Sequence, residues 1–212
     1  MTDTYFLETL PLFTAQLAEI IKKSPPLFLE SFYLSGGTAL SLQIGHRESE
    51  DLDFFSREPF NPLKIQQQLT GFGKLTDVEI AAGTLNAYLN GVKLQFLEYP
   101  YDLIEQYSNW EGVNLSSVLD IGCTKLQTVG MRGSKKDLID VYFLLEVFSL
   151  TELFNAMQKK YKNIEYSQTH ILKSLVYFAD AELQPLPKMH KVVEWNEVKK
   201  KLVETVRQVS LS

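Results

Sequence analysis

Phe32-Tyr33-Leu34-Ser35-Gly36-Gly37-Thr38-Ala39-Leu40, followed shortly by Glu50-Asp51-Leu52-Asp53-Phe54-Phe55, is the stretch on which the fold turns. Its first part reads as a short aromatic strand, a tight Gly-Gly turn and the start of a helix. Its second part alternates as a half-buried strand does. Asp51 and Asp53 are two apart, so both point to one face with Cα atoms roughly 6.6 Å apart, while Leu52 and Phe54 point into packing. Such carboxylates repel unless they are solvated, paired with cations or bound to metal. Two oxygen donors on one strand suit Mg²⁺, a hard ion that commonly bridges protein carboxylates to substrate phosphates. Taken alone, the pattern is more simply the wet face of an edge strand. The glycine turn alters that balance. Gly36 and Gly37 let the backbone approach a ligand with no Cβ in the way, and N–H groups at a helix start favour phosphate. A Gly-Gly turn by itself is only a turn; with the acidic strand it makes the second half of a nucleoside triphosphate site. There is no Walker A or G-x-G-x-x-G run, which disfavours a P-loop ATPase or a dinucleotide enzyme.

Around this centre, apolar positions at Leu7, Leu10, Phe13, Leu17, Ile20 and Ile21 predict one amphipathic helix over 6–23, with Pro11 in its first turn. Asn61 or Pro62 opens a further helix running to Leu69. Residues 74–97 read as an antiparallel ribbon with turns at Ala82-Gly83 and Asn90-Gly91, the latter a strong hairpin signal. After Pro100 the pattern is helical, with segments predicted over 117–129, 134–148, 150–161, 167–178 and 196–209. The expected fold class is therefore α+β: a small mixed β-sheet flanked by helices, followed by a helical C-terminal region. The expected division is a core over 1–105 and a helical region over 106–212 packed against it.

The chain has 212 residues, enough for a sizeable core without a staple. Hydrophobic residues at 45 % and aromatics at 12 % exclude a disordered chain, and a net charge of −5 argues against a purely electrostatic nucleic-acid binder. Cys123, the one cysteine, excludes an intrachain disulfide and reads as an inert packing residue. His46, His170 and His190 are too scattered for a histidine-built metal centre. The N-terminal MTDTYFLETLPLF carries acids where a signal peptide would be basic, and no run approaches 18 apolar residues. A soluble cytoplasmic protein without a membrane partner is the expectation.

A second block lies further on. Lys125 rises from an apolar helical stripe, where it can snorkel or reach an acid or a phosphate. In Arg132-Gly133-Ser134-Lys135-Lys136-Asp137-Leu138-Ile139-Asp140, the acids sit on the first turns of a helix that is apolar nearly all round. Ser134 is placed to cap that helix, and a local capping role for Asp137 is the plain alternative to a catalytic one. Arg132, Lys135 and Lys136 form a small basic cluster. It is either solvated loop charge or, as favoured here for Lys136 together with Lys125 and Arg47, a means of neutralising phosphate.

These blocks, from Phe32 through Asp53 and from Lys125 through Leu145, resemble the polymerase-beta-type nucleotidyltransferase superfamily and, more narrowly, the AbiEii/AbiGii abortive-infection toxin family. The resemblance implies a nucleotidyltransferase-like core and Mg²⁺-dependent transfer of a nucleoside monophosphate from a nucleoside triphosphate. It implies an acceptor hydroxyl on RNA, such as a transfer RNA end, or on protein, and a cognate antitoxin as partner. By matched motif positions, Gly36, Gly37 and Thr38 contact the triphosphate and Asp51 and Asp53 carry the metal. Lys125 and Asp137 complete the catalytic set, with Arg47 and Lys136 on phosphate. One position departs from the superfamily pattern: Gln95 stands where a third carboxylate is expected, with Glu98 and Glu79 as the nearby acids. That leaves a catalytically inactive nucleotide-binding or protein-interaction homologue as the alternative.

Overall fold

A computed structural model of the chain describes residues 4–210; the first three residues of the acidic N-terminal stretch and the last two of the chain lie outside the described residues. The chain forms two compact units, one of Met1–Asp102 with Gln106–Ser117, the other of Leu103–Glu105 with Val118–Ser212. The division therefore falls after Ser117 rather than at 105/106, because residues 106–117 return to the first unit as two short strands.

The first unit has strands β1 Tyr33–Ser35, β2 Leu52–Ser56, β3 Leu75–Ala81, β4 Thr84–Leu89, β5 Val92–Glu98, β6 Ser108–Trp110 and β7 Val113–Leu115. They make one sheet in the order β3-β4-β5-β2-β1-β7-β6. It is mixed: β1 is antiparallel to β2 and parallel to β7, and β2 is parallel to β5. Asn90 and Gly91 both take positive φ, 52° and 82°, in the two-residue turn that sets the β4–β5 register. Along β4 and β5 alternate residues are buried, while in β2 only Asp53 is not fully buried. Leu52, Phe54, Leu85, Ala87, Leu94 and Phe96 form a core face, and the opposite face carries Asp53, Gln95, Asn86, Lys93 and Tyr88 together with Phe55 and Leu97.

Three helices, α1 Leu12–Lys23, α2 Gly36–Ile44 and α3 Pro62–Leu69, complete this unit. The single helix expected over 6–23 is divided: a 3₁₀ turn spans Leu7–Thr9 and α1 starts after Pro11. The proline is the cause, since the residue before it is driven out of the helical region and Leu10 is extended at φ −89°, ψ 121°. Asn61 caps α3, its Oδ1 accepting from the backbone N–H of Leu63 at 3.0 Å and of Lys64 at 3.4 Å. Asn61→Ala is expected to lower stability by about 1 kcal/mol, read as a shift in the urea midpoint.

The second unit is helical, with α4 Val118–Met131, α5 Lys135–Leu144, α6 Leu150–Lys160, α7 Gln168–Leu175, α8 Ala179–Glu182 and α9 Trp195–Ser210. Five of these fall where the apolar periodicity predicted them; the four-residue α8 is too short to show a period. Ser134 caps α5 as expected, and Ser149 with Glu152 forms a capping box on α6. The core includes Ile121, Leu126, Leu138, Leu144, Leu153 and Leu202. Among the described residues no helix is long and apolar enough to cross a membrane.

Candidate active site

The turn between β1 and α2 is built around its glycines. Gly36 has φ +67°, and a Cβ placed on it would lie 2.3 Å from Asp53 Oδ2. The Asp53 carboxylate thus rests against the Gly36 backbone, where β1 and β2 pair Ser35 with Asp53. A Cβ on Gly37 would meet Arg47 Nη2 at 2.7 Å and Ser49 Oγ at 2.9 Å. Only glycine allows both approaches.

Arg47 is 3 % exposed, and its Nη1 donates to the Glu48 carbonyl at 2.8 Å. Its guanidinium lies behind Gly37, so it acts on the turn by bracing and by charge rather than by reaching out. The resemblance sets Thr38 against the triphosphate by its backbone or its hydroxyl. Thr38 is fully buried, and its hydroxyl donates to the Asp51 carbonyl and lies 3.0 Å from Ser49 Oγ, which leaves the backbone for that contact. That bond ties α2 to the residue that leads into β2. Asp51 and Asp53 are both half-buried. His46 is fully buried, in keeping with a packing role.

The registers define one polar row across the sheet: Ser35 beside Asp53, Asp53 beside Gln95, Gln95 beside Asn86 and Asn86 beside Glu79. Gln95 is therefore the direct neighbour of Asp53, the position at which the superfamily pattern expects a third carboxylate. Glu98, in unbroken register with Ser56, faces the other way. Glu79 is on the same face but three strands from Asp53, roughly 14 Å at one strand spacing each, too far to share an ion with it. Lys93, exposed on the same face, falls opposite Asp51 when the β2–β5 register is extended by one residue. Asn86 and Lys93 did not figure in the motif reading, although the Asn90-Gly91 turn fixes both positions by counting.

Asp51 and Asp53 supply the kind of hard oxygen donors that Mg²⁺ takes from protein when phosphates provide the rest of its shell. The Asp53 carboxylate lies against the Gly36 backbone, next to the turn whose N–H groups favour phosphate. The donor set fits such an ion. Among the described residues no three His, Cys, Asp or Glu side chains gather to hold a metal unaided, so phosphate oxygens and water would fill the remaining positions.

In the helical unit, Lys125 is 7 % exposed and its ammonium bridges two buried carboxylates, Asp137 Oδ1 at 2.8 Å and Asp140 Oδ2 at 2.6 Å. Asp137 Oδ2 also accepts from Arg132 Nε at 3.2 Å and from the Ser134 hydroxyl. Burial pushes the Asp137 carboxyl up, but the Lys125 charge, the hydrogen bonds from Lys125 and Ser134, and the Arg132 charge outweigh it and hold the group below its ordinary value. Lys125 is thus balanced by acids of its own unit instead of standing as an open cation. Lys135 leaves the basic cluster: it is buried, bonded to the Glu182 and Gln184 carbonyls, and lies over the Trp195 ring at 5.1 Å. Lys136 is exposed.

A second buried pair escaped the sequence reading. Lys160 Nζ lies 2.6 Å from Asp120 Oδ1, and Asp120 accepts from the backbone N–H groups of Ile104 and Glu105 at 3.0 and 3.1 Å. It pins residues 103–105 to α4 and α6. Burial pushes the neighbouring Cys123 thiol up to about 12; slow alkylation at pH 8 that quickens on unfolding is expected. His170 Nε2 pairs with the Gly130 carbonyl at 2.7 Å, near the end of α4.

Residues 20–86 match a family model described as nucleotidyl transferase AbiEii toxin, type IV TA system. A protein of Aquifex aeolicus, aq_aa25, is 41 % identical over 156 residues, covering 71 % of this chain and 75 % of that one. The chain belongs to the AbiEii nucleotidyltransferase toxin family. Two solved structures share the fold of this AbiEii-family chain. JHP933 of Helicobacter pylori superposes with a TM-score of 0.57 at 20 % identity, over 92 % of this chain and 90 % of that one. MenT4, a nucleotidyltransferase toxin of Mycobacterium tuberculosis, gives 0.54 at 12 %, over 93 % and 86 %. The matched AbiEii segment contains the glycine turn, both aspartates and Arg47; Gln95 and the second block lie beyond it.

Proposed function

We propose that this chain is a Mg²⁺-dependent nucleotidyltransferase that moves a nucleoside monophosphate from a nucleoside triphosphate to a hydroxyl on RNA or protein, and that it acts as the toxin of a toxin–antitoxin pair. The observation that carries this reading is the seating of the Asp53 carboxylate on Gly36. It joins a backbone able to receive phosphate to an acid able to hold the phosphate's counterion.

In this reading the N–H groups of Gly36 and Gly37 at the start of α2 receive the outer phosphates, with the buried Arg47 charge behind them. Asp51 and Asp53 would hold Mg²⁺, which when bound supplies charge neutralisation on the triphosphate and a lowered pKa on the attacking hydroxyl. Thr38 fixes the approach of Asp51 through its carbonyl. Lys136 is offered to phosphate as an exposed cation. Lys125 and Asp137, assigned to catalysis by the resemblance, enter as a charge-balanced cluster with Asp140. The toxin family implies a cognate antitoxin.

The test is label transfer from each α-labelled nucleoside triphosphate to total RNA and total protein, with calorimetry of nucleotide binding with and without Mg²⁺. Transfer by the wild type and its loss in Asp53→Asn, with Mg²⁺ strengthening nucleotide binding in the wild type alone, is the expected result. Equal affinities throughout would remove the metal-site proposal. Gln95 beside Asp53 favours one second reading, a nucleotide-binding homologue that transfers nothing. Tight Mg²⁺-dependent binding without label on any acceptor would select it.

A further inference from the structure

Resting on the nucleotidyltransferase reading, we infer that Thr14 is a positioning residue for the Asp51 carboxylate, acting together with the Thr9 carbonyl, so that the N-terminal segment belongs to the candidate metal site. The need for such support comes from where the two aspartates stand. Asp53 lies inside β2 and is held by ladders on both sides, to Ser35 on β1 and to Gln95 on β5. Asp51 precedes the strand. It ends the segment 45–51, in which residues 48–51 belong to no helix or strand. Without a ladder each peptide group there has to be held individually. A carboxylate on an unheld backbone meets an ion only by giving up that freedom.

The N-terminal segment supplies the hold. The Ser49 N–H donates to the Thr9 carbonyl at 3.1 Å, and the Thr14 hydroxyl donates to the Glu50 carbonyl at 2.9 Å. With the bond from Thr38 to the Asp51 carbonyl, each of the residues 49, 50 and 51 is tied to a different point of the unit. Both N-terminal threonines are buried, Thr9 fully and Thr14 at 2 % exposed. Pro11 makes the arrangement possible. In a helix continuous over 6–23 the Thr9 carbonyl would be taken by the N–H of Phe13, four residues on. Because α1 begins only at Leu12, that carbonyl stays outside the helix and receives Ser49 instead. Thr14 falls in the first turn of α1, on its buried side. An aliphatic residue would serve packing there equally well; the hydroxyl is accounted for by the carbonyl it meets.

Groups that hold a ligating carboxylate from behind are commonly worth about 10–100-fold in metal affinity. Thr14→Val keeps the shape of the side chain and removes its hydroxyl, which releases the Glu50 carbonyl and loosens the backbone that carries Asp51. Asp53 keeps both of its ladders. The loss therefore falls on the metal's share of nucleotide binding and spares the glycine turn.

The experiment uses the full chain and measures, by calorimetry, the affinity for ATP, GTP, CTP and UTP without metal and at saturating Mg²⁺. In Thr14→Val the tightening produced by Mg²⁺ should fall about tenfold relative to the wild type, with the metal-free affinity unchanged. Thr14→Ser, which keeps the hydroxyl, should restore the wild-type value. Amide hydrogen exchange in the metal-free protein should show Ser49 losing protection in Thr14→Val and keeping it in Thr14→Ser. Asn61→Ala removes a cap whose bonds go to Leu63 and Lys64; it lowers stability without touching this segment and should leave the Mg²⁺ effect intact. An unchanged Mg²⁺ effect or unchanged Ser49 exchange in Thr14→Val, failure of serine to restore either, or an equal loss in Asn61→Ala would overturn the assignment. A wild type that binds nucleotide no tighter with Mg²⁺ would instead remove the metal-site reading, and one that binds no nucleotide would remove the nucleotidyltransferase reading; either result takes the positioning role with it.

Discussion

Gly36→Ala is expected to reduce nucleotide transfer on the order of 10²-fold while leaving the protein folded. Two effects combine. Gly36 sits at φ +67°, a left-handed conformation that costs an L-residue about 1–2 kcal/mol. The added methyl would also stand 2.3 Å from Asp53 Oδ2 and 3.2 Å from its Cγ. The end of a short side chain can move, so the clash is relieved by turning the Asp53 carboxylate away. Displacing a positioning group by about 1 Å is enough for a 10²-fold loss. Single-turnover rates at saturating nucleotide, with the unfolding midpoint measured alongside, check this. A variant that keeps wild-type rates would show that Asp53 need not rest on the glycine turn.

Lys125→Met is expected to destabilise the helical unit by about 3–5 kcal/mol, because it leaves the Asp137 and Asp140 carboxylates buried with no ammonium between them. Restoring neutrality with Asp137→Asn and Asp140→Asn in the same chain should recover most of that loss. The pH dependence separates this account from lost packing. In the wild type the folded Asp137 pKa lies below its ordinary value. Its contribution is therefore complete above about pH 4, the value in the unfolded chain, and is lost as pH falls through the depressed folded value. In Lys125→Met the largest opposing contributions are gone and only Ser134 and Arg132 still act against burial, which pushes the carboxyl up, so the variant gains stability as pH falls toward 5. Urea midpoints at pH 7.5 and pH 5 should show the gap between the two proteins narrowing in acid. A gap constant with pH would assign the cost to lost packing alone.

The parts legible in the sequence are those encoded in short-range pattern. Asn90-Gly91 set a hairpin register that brings Asn86 beside Gln95, whereas the parallel pairing of β2 with β5 that brings Gln95 to Asp53 is long-range and was implied by the resemblance alone. The helices from α4 to α7 and α9 announced themselves by apolar period, and α5 also by its serine cap at 134. The strands over 108–115 did not. Each is three residues long, too short for alternation to show, and the local sign was a turn at Glu111-Gly112, both at positive φ. The charge partners were equally hidden. Nothing local tells that Lys125 meets Asp140, fifteen positions on, or that Asp120 meets Lys160, forty positions on. A lysine in an apolar stripe reads the same whether its partner is phosphate or aspartate. The direction of the Thr38 hydroxyl was hidden for the same reason, since it depends on where residues 49–51 return.

The chain leaves the first unit after Asp102, lends Leu103–Glu105 to the helices and comes back before departing for good after Ser117. The two units are therefore stitched, and no single scission frees one from the other intact. A fragment ending at 105 would lack β7, whose Leu115 pairs with Leu34 and whose neighbour Ser116 donates to the Leu34 carbonyl at 2.9 Å. Its central β1 would become a raw margin of unsatisfied amides, prone to sticking to other chains, so dissection of this protein is better done by point substitution than by truncation.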